Sequence, residues 1–305
     1  MIRIGIDLGG TNIAVGTVDD GHAIVSRVSV PTLARRPAAE VVGDMGDAVE
    51  AALAKAGLSI GDCCSIGIGS PGTCNSAAGV VERAYNLGWD HVPVCRMLEE
   101  RFHVPCRLSN DANCAALAEQ VAGAAVGHDN VVLITLGTGV GGGIIIDGRI
   151  YTGFNYCGAE LGHTVVHYGG RPCNCGRKGC FEAYSSATAL INMTKEAMEA
   201  DKSSKMWEIC SGDINNVDGK TAFDGWRAGD KSASGVVDMY ISYLGCGLTN
   251  IVNTFQPEIL LIGGGICKEG DTLLVPIKNF INKYAYGGSL NPEQHIEIAK
   301  LGNDA

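Results

Sequence analysis

The chain has 305 residues, 46% hydrophobic and 18% charged, with a formal net charge of −10. That composition gives a globular protein with material for two domains and excludes a disordered one. An acidic chain lacks the broad positive field that non-specific nucleic-acid binding needs, so an anionic ligand must be held locally by backbone N–H groups, helix N-termini or a metal ion.

The opening MIRIGID enters a strand at once, with no signal-peptide pattern, and no run of 18 apolar residues follows anywhere. This predicts a cytoplasmic protein with neither a membrane nor a nucleic acid as partner. The thirteen cysteines are scattered through apolar stretches such as CCSIGIG and YLGCGL, which suits buried thiols plus one metal cluster better than a disulfide framework.

In chain order, a strand is predicted at 2–7, then the turn LGGTN, a strand at 13–18, the turn DDG and a third strand near 22–30. Pro37 opens a helix that runs to Ala56 and stops at Gly57, with Val41, Met45, Val49 and Ala52 on one face. A strand at 65–70 ends in the loop PGTCN; a short helix near 94–103 and a strand at 104–109 follow. Asn110 or Asp111 is placed to cap the next helix, which ends near Gly123.

The opening pattern then returns. A strand at 130–136 leads into GTGVGGG, a second strand IIID and the hairpin turn DGR. LGGTNIAVGTVDDG (8–21) and LGTGVGGGIIIDG (136–148) share the order strand, glycine turn, strand, acidic-glycine turn, which predicts two copies of one unit, each starting a domain. The second half is more helical, with helices near 185–200 and 231–255, the latter stopped by Pro257. EILLIGGGI is a buried strand with a glycine turn, and a helix near 272–284 follows. The expected division is a smaller N-terminal α/β domain over 1–110 and a larger one over 111–294, with the chain end, about 295–305, as a candidate to pack back on the first.

Three glycine-rich turns follow strands: Gly9-Gly10-Thr11-Asn12, Gly137-Thr138-Gly139 and Gly263-Gly264-Gly265. Any one alone reads as a tight turn. Three of them, two in duplicated context, read as backbone nests for phosphate oxygens, with Thr11 and Thr138 as added donors. None fits the P-loop pattern G-x-x-x-x-G-K-S/T. Asp7, just before the first turn, is either a turn-stabilising carboxylate or a ligand for Mg²⁺ beside bound phosphates. Asp111 is either a plain helix cap or a general base at the carboxyl end of a strand, where ligands bind in open α/β sheets.

The stretch CNCGRKGCFEAY (173–184) has cysteines at C-x-C-x4-C spacing with glycines between them, a strong metal signal. A closed site needs a fourth ligand; His163 is the best placed and His167 competes. Glu160 and Glu182 flank the region. Such a site is structural: it fixes the wall of a polar pocket and leaves the chemistry to the neighbouring carboxylates.

Together these segments resemble the ROK family of sugar kinases, within the actin-like, hexokinase-type ATPase fold, over essentially the whole chain. IGIDLGGTNIAVGTVD is similar to the family's first phosphate motif, LSNDANCAALAE to its catalytic segment, LITLGTGVGGGIIIDGRI to the second phosphate motif and PEILLIGGGI to its nucleoside-side motif. GAELGHTVVHYGGRPCNCGRKGCFEAY is similar to the family signature, with its E-x-G-H and C-x-C-G-x-x-G-C-x-E parts intact. The resemblance implies an α/β fold of two domains with a duplicated mixed-sheet core and an interdomain cleft. It implies that Asp111 is the base for the sugar 6-hydroxyl, that Asn110, Glu160, His163 and Glu182 hold the other hydroxyls, and that Gly72 and Asn86 lie near the sugar. His163, Cys173, Cys175 and Cys180 would bind a structural Zn²⁺. ATP and Mg²⁺ would be held by Asp7, Gly9, Gly10, Thr11, Asn12, Gly137, Thr138, Gly139, Gly264 and Gly265.

Two departures from the family are expected to matter. The DNA-binding segment that precedes the first strand in its repressors is not in this sequence, and family members usually continue past LGNDA into a closing helix. Glucose heads the implied acceptors; N-acetylmannosamine, N-acetylglucosamine, allose and fructose kinases share the same motifs. A non-catalytic sugar sensor and an actin-like ATPase are the competing classes. A homodimer or homotetramer is the implied assembly.

Overall fold

The computed structural model describes residues 1–287, 294–302 and 305. The chain divides into two compact units, Met1–Ala115 with Thr152–Gly158, and Ala116–Tyr151 with Ala159–Ala305.

The first unit is built on a five-stranded sheet of order β3-β2-β1-β4-β8. β1 (Ile2–Leu8), β2 (Asn12–Val18) and β3 (Ile24–Pro31) form an antiparallel meander, while β4 (Cys63–Ser70) runs parallel to β1 and β8 (Cys106–Asn110) parallel to β4. The period-two alternation of β1 buries Ile4, Ile6 and Leu8, and β2 buries Ile13 and Val15 beside them. α1 (Ala38–Lys55) covers this face, and its stripe Val41, Met45, Val49 and Ala52 is at most 1% exposed. That stripe follows the 3.6-residue period read from the sequence. β5 (Thr73–Asn75), β6 (Val80–Ala84) and β7 (Trp89–Val92) form a second, three-stranded sheet, followed by α2 (Val94–Phe102).

The second unit repeats the plan with the order β11-β10-β9-β12-β13. β9 (Val131–Leu136) pairs antiparallel with β10 (Val140–Ile146), which pairs with β11 (Arg149–Ile150); β12 (Ile259–Gly263) runs parallel to β9, and β13 (Ile296–Ile298) parallel to β12. The core between sheet and helices gathers Ile134, Leu136, Phe181, Leu190, Phe223, Tyr240, Leu244 and Leu248. The helices are α4 (Glu182–Ser185), α5 (Ala187–Ala200), α6 (Met206–Ile209), α7 (Thr221–Arg227), α8 (Lys231–Phe255) and α9 (Asp271–Tyr284). Most of the apolar stripe of α8 is core, including Val236, Val237, Tyr240, Leu244, Leu248, Ile251 and Val252. No helix among the described residues is long and apolar enough to cross a membrane.

Three details differ from the expected division. The boundary falls at 115/116, inside α3 (Asp111–Ala122), because the first turns of that helix pack on β4: the Cys114 sulfur lies 3.5 Å from where a Cβ on Gly69 would stand. Residues 152–158 also belong to the first unit, where Cys157 Sγ is 3.7 Å from Thr73 Oγ1. The described residues of the chain end, 294–302 and 305, group with the second unit. β13 is an edge strand of the second sheet, and the Leu301 N–H donates to Glu119 Oε1 at 2.7 Å. Asn303 and Asp304, part of that expectation, lie outside the described residues.

Candidate active site

In the first unit, Asp7 is the last residue but one of β1, and the turn Gly9–Asn12 follows, with Gly9 N–H donating to Asn12 O at 2.9 Å. The turn is fixed from behind by Thr32, wholly buried, whose Oγ1 donates to Gly9 O at 2.7 Å and whose N–H donates to Thr11 O at 2.8 Å. Asn86 lies against this turn, its Nδ2 3.4 Å from where a Cβ on Gly10 would stand.

Asp111 is the first residue of α3, at the carboxyl end of β8. Asn110 acts as the cap: its Oδ1 accepts from Ala112 N–H at 3.0 Å and Asn113 N–H at 3.4 Å, while its Nδ2 donates to Gly72 O at 3.3 Å. Asn110 thereby joins the helix start to the Gly72 loop. Gly72 is held at φ +87° with Arg83 O 2.1 Å from where a Cβ would be, so only glycine fits there. Asp111 Oδ1 accepts from Ala112 N–H at 2.8 Å.

Water reaches both Asp7 and Asp111, yet each lies in a protein-dense setting. Loss of hydration raises the Asp111 carboxyl above the ordinary aspartate range, against the lowering effect of the N–H groups of Ala112 and Asp111 and of Asn110. Asp7 is also raised, first by loss of hydration and then by the charge of Asp111. These two acidic groups are therefore electrostatic neighbours beside the first glycine turn.

The second unit carries the other expected residues. His163, Cys173, Cys175 and Cys180 converge, each offering a ligand atom, all within 4.8 Å of one another. Cys175 Sγ to Cys180 Sγ is 3.6 Å and Cys173 Sγ to His163 Nδ1 is 3.7 Å. Zn–S bonds of about 2.3 Å put tetrahedral corners roughly 3.8 Å apart, so the donor set and its spacing fit that ion. The cysteines are brought together by a pair of narrow antiparallel bridges, Val165 with Cys180 and Pro172 with Lys178. His167 is not part of the cluster: its Nδ1 is 3.0 Å from Tyr243 Oη, and its ring stacks with Tyr184 and Tyr243.

Glu160 precedes the short turn Leu161–His163 and accepts the His163 N–H on its carbonyl at 3.1 Å. Glu182, the first residue of α4, faces two ways: Oε2 accepts from Val140 N–H at 3.0 Å, and Oε1 lies 3.6 Å from Cys173 Sγ. The turn Gly137–Gly139 joins β9 to β10 and closes with Gly137 N–H on Gly139 O at 3.0 Å. Gly264 packs on the end of β9, with Leu136 O 2.2 Å from where its Cβ would stand, so the third turn adjoins the second.

Sequence reasoning passed over three contributors. Thr32 and Thr188 hold turn carbonyls, Thr188 Oγ1 donating to Thr138 O at 2.9 Å. Asn113 is 5% exposed, and its Oδ1 has no hydrogen-bond partner. Only Asn113 had a local signal, a polar residue two positions after Asp111; the threonines act on turns distant in sequence.

The ROK family model matches residues 3–305. The chain is 39% identical over 304 residues to a glucokinase of Halalkalibacterium halodurans, covering 99% of this chain and 91% of that one. It is 37% identical over 289 residues to a glucokinase of Thermotoga maritima, covering 92% and 87%. A ROK family glucokinase from Streptomyces griseus, solved in complex with glucose and AMPPNP, superposes with a TM-score of 0.81 at 35% identity over 99% of this chain and 95% of that one. A duplicated glycine-turn sheet, an acidic residue heading α3 and a Cys₃His cluster thus meet a match that spans the chain almost end to end: it belongs to the ROK family.

Proposed function

We propose that this protein transfers the γ-phosphoryl group of ATP to the 6-hydroxyl of a hexose, with glucose as acceptor. The observation that carries the reading is Asp111, a carboxylate with a raised pKa at a strand's carboxyl end, anchored by Asn110 to the Gly72 loop. The glucose and AMPPNP complex of the Streptomyces griseus relative supports the choice of acceptor and donor.

Phosphoryl transfer passes through a loose, anionic transition state, so positioning and charge stabilisation dominate. Asp111 accepts the proton of the attacking hydroxyl and aligns its oxygen. Asn110, Glu160, His163 and Glu182 hold the remaining sugar hydroxyls, with Gly72 and Asn86 beside them. The turns Gly9–Asn12 and Gly137–Gly139, closed by the N–H groups of Gly9 and Gly137, cradle the phosphates with their remaining backbone N–H groups, helped by Thr11 and Thr138, with Gly264 and Gly265 towards the nucleoside. Mg²⁺, held through Asp7 beside the phosphates, would supply charge neutralisation there. Zn²⁺ on His163, Cys173, Cys175 and Cys180 would fix the orientation and tautomer of the His163 ring. The thiol-rich sequence suits a reducing, cytoplasmic setting.

The test is ADP release from Mg-ATP with glucose, mannose, fructose, allose, N-acetylglucosamine and N-acetylmannosamine. The highest kcat/KM on glucose is expected. A much higher value on another sugar would replace the acceptor, and no turnover on any of them would refute the kinase reading.

A further inference from the structure

The second glycine turn is gripped by one short segment whose far end lies in the metal cluster. Cys180 supplies a cluster sulfur. Two residues later, Glu182 Oε2 accepts from Val140 N–H at 3.0 Å, and it approaches the turn so closely that a Cβ on Gly139 would stand 2.3 Å from that oxygen. Ala187 N–H donates to Gly137 O at 2.9 Å, and Thr188 Oγ1 donates to Thr138 O at 2.9 Å. Between these ends the strap has little freedom. Phe181 is fully buried with its ring against Gly247 of α8, and Tyr184, Ser185 and Ser186 are at most 4% exposed. The first glycine turn has a different support: Thr32, the residue after β3, holds it from beside its own sheet.

We propose that the strap Cys180–Thr188 couples zinc occupancy of the Cys/His cluster to nucleotide affinity at the Gly137–Gly139 turn, with Thr188 as a positioning residue. This rests on the reading above that the cluster holds zinc and the turn holds phosphate. Fixing Cys180 restricts the strap, and the strap holds the carbonyls of Gly137 and Thr138 and the amide of Val140. A nucleotide that meets an already ordered turn loses less conformational entropy on binding. Linkage then makes the effect reciprocal: zinc and nucleotide must raise each other's affinity by one common factor.

The experiment uses the folded, zinc-loaded chain. Zinc affinity is measured by competition with a chromogenic chelator, with and without Mg-ADP, and a fluorescent ADP analogue is titrated into loaded and stripped protein. A common factor of about fivefold or more is expected in both directions, within the usual range of coupling between sites. Thr188→Val should shrink that factor, and Thr188→Ser, which keeps the hydroxyl, should restore it. Hydrogen exchange at the Val140 amide should slow when zinc is bound. Equal zinc affinity with and without Mg-ADP, in protein that binds the nucleotide, overturns the coupling even if stripped protein unfolds. A full factor in Thr188→Val removes Thr188 from it. Failure of zinc-loaded protein to bind nucleotide overturns the functional reading, and the coupling with it.

Discussion

Asp111→Asn separates the base from its scaffold. Asparagine keeps the shape and one oxygen of the side chain, so it can still accept the Ala112 N–H that Asp111 Oδ1 accepts at 2.8 Å, and Asn110 continues to cap α3. What is lost is the site that takes the proton. General-base catalysis contributes about 10²–10⁴-fold, so kcat should fall by that factor, equivalent to about 2.7–5.4 kcal/mol of barrier at 1.36 kcal/mol per decade. The pH profile gives the sign. The working form is the carboxylate, and loss of hydration raises its pKa, so the acid limb of kcat/KM should lie above the ordinary aspartate range and vanish in the variant. Stability moves the other way. A carboxyl raised in the folded state contributes stability below its unfolded pKa and loses it as pH rises through the folded value, so at neutral pH the ionised group costs stability. Asp111→Asn should therefore be more stable than the parent at pH 7 in a urea melt while nearly inactive in an ADP-release assay. A variant that keeps more than about a tenth of kcat, or that has lost stability at pH 7, would refute the reasoning.

Three further outcomes are expected. His163→Ala should lose zinc in a chelator competition by at least about the hundredfold at the upper end for supporting groups, while His167→Ala should retain it because His167 bonds Tyr243; the reverse pattern would reassign the fourth ligand. Gly179→Ala should destabilise the chain by about 1–3 kcal/mol or more and loosen zinc, since Gly179 sits at φ +84° with His167 O 1.7 Å from the added Cβ; an unchanged melt would contradict that crowding. Glu119→Ala removes a fully buried carboxylate that accepts from Ala124 N–H and Leu301 N–H, both at 2.7 Å; at about 1–3 kcal/mol for each orphaned donor the urea midpoint should drop clearly, and no drop would mean that both donors find other acceptors.

Legibility in the sequence followed the range of the interaction. α1 and α8 were readable because a 3.6-residue apolar stripe and a stop signal lie within one segment, with Pro37 also marking the start of α1; α8 is found at Lys231–Phe255, where its stripe and Pro257 put it. The convergence of His163, Cys173, Cys175 and Cys180 was readable because the four fall within one stretch of chain with glycines that allow the folding back. β5 to β7 were missed because strands of three to five residues show too few alternations to separate from loop. β13 is a three-residue edge strand, and only its parallel pairing with β12, across α9, defines it.

The two glycine turns show the same limit inside one motif. The sheets β3-β2-β1-β4-β8 and β11-β10-β9-β12-β13 share a plan, so the turns between β1 and β2 and between β9 and β10 occupy equivalent places, and their glycines stand out in any reading. Each turn also has a threonine whose hydroxyl donates to a turn carbonyl, Thr32 to Gly9 at 2.7 Å and Thr188 to Thr138 at 2.9 Å. Neither threonine could be found from its neighbours, because the bond joins positions 23 and 50 residues apart. The support has been solved twice with different material: in the first unit from the residue that follows β3, in the second from the segment leaving the cysteine loop. Duplication accounts for the turns; the separate origin of their supports accounts for why the second is joined to the Cys/His group through a single strap.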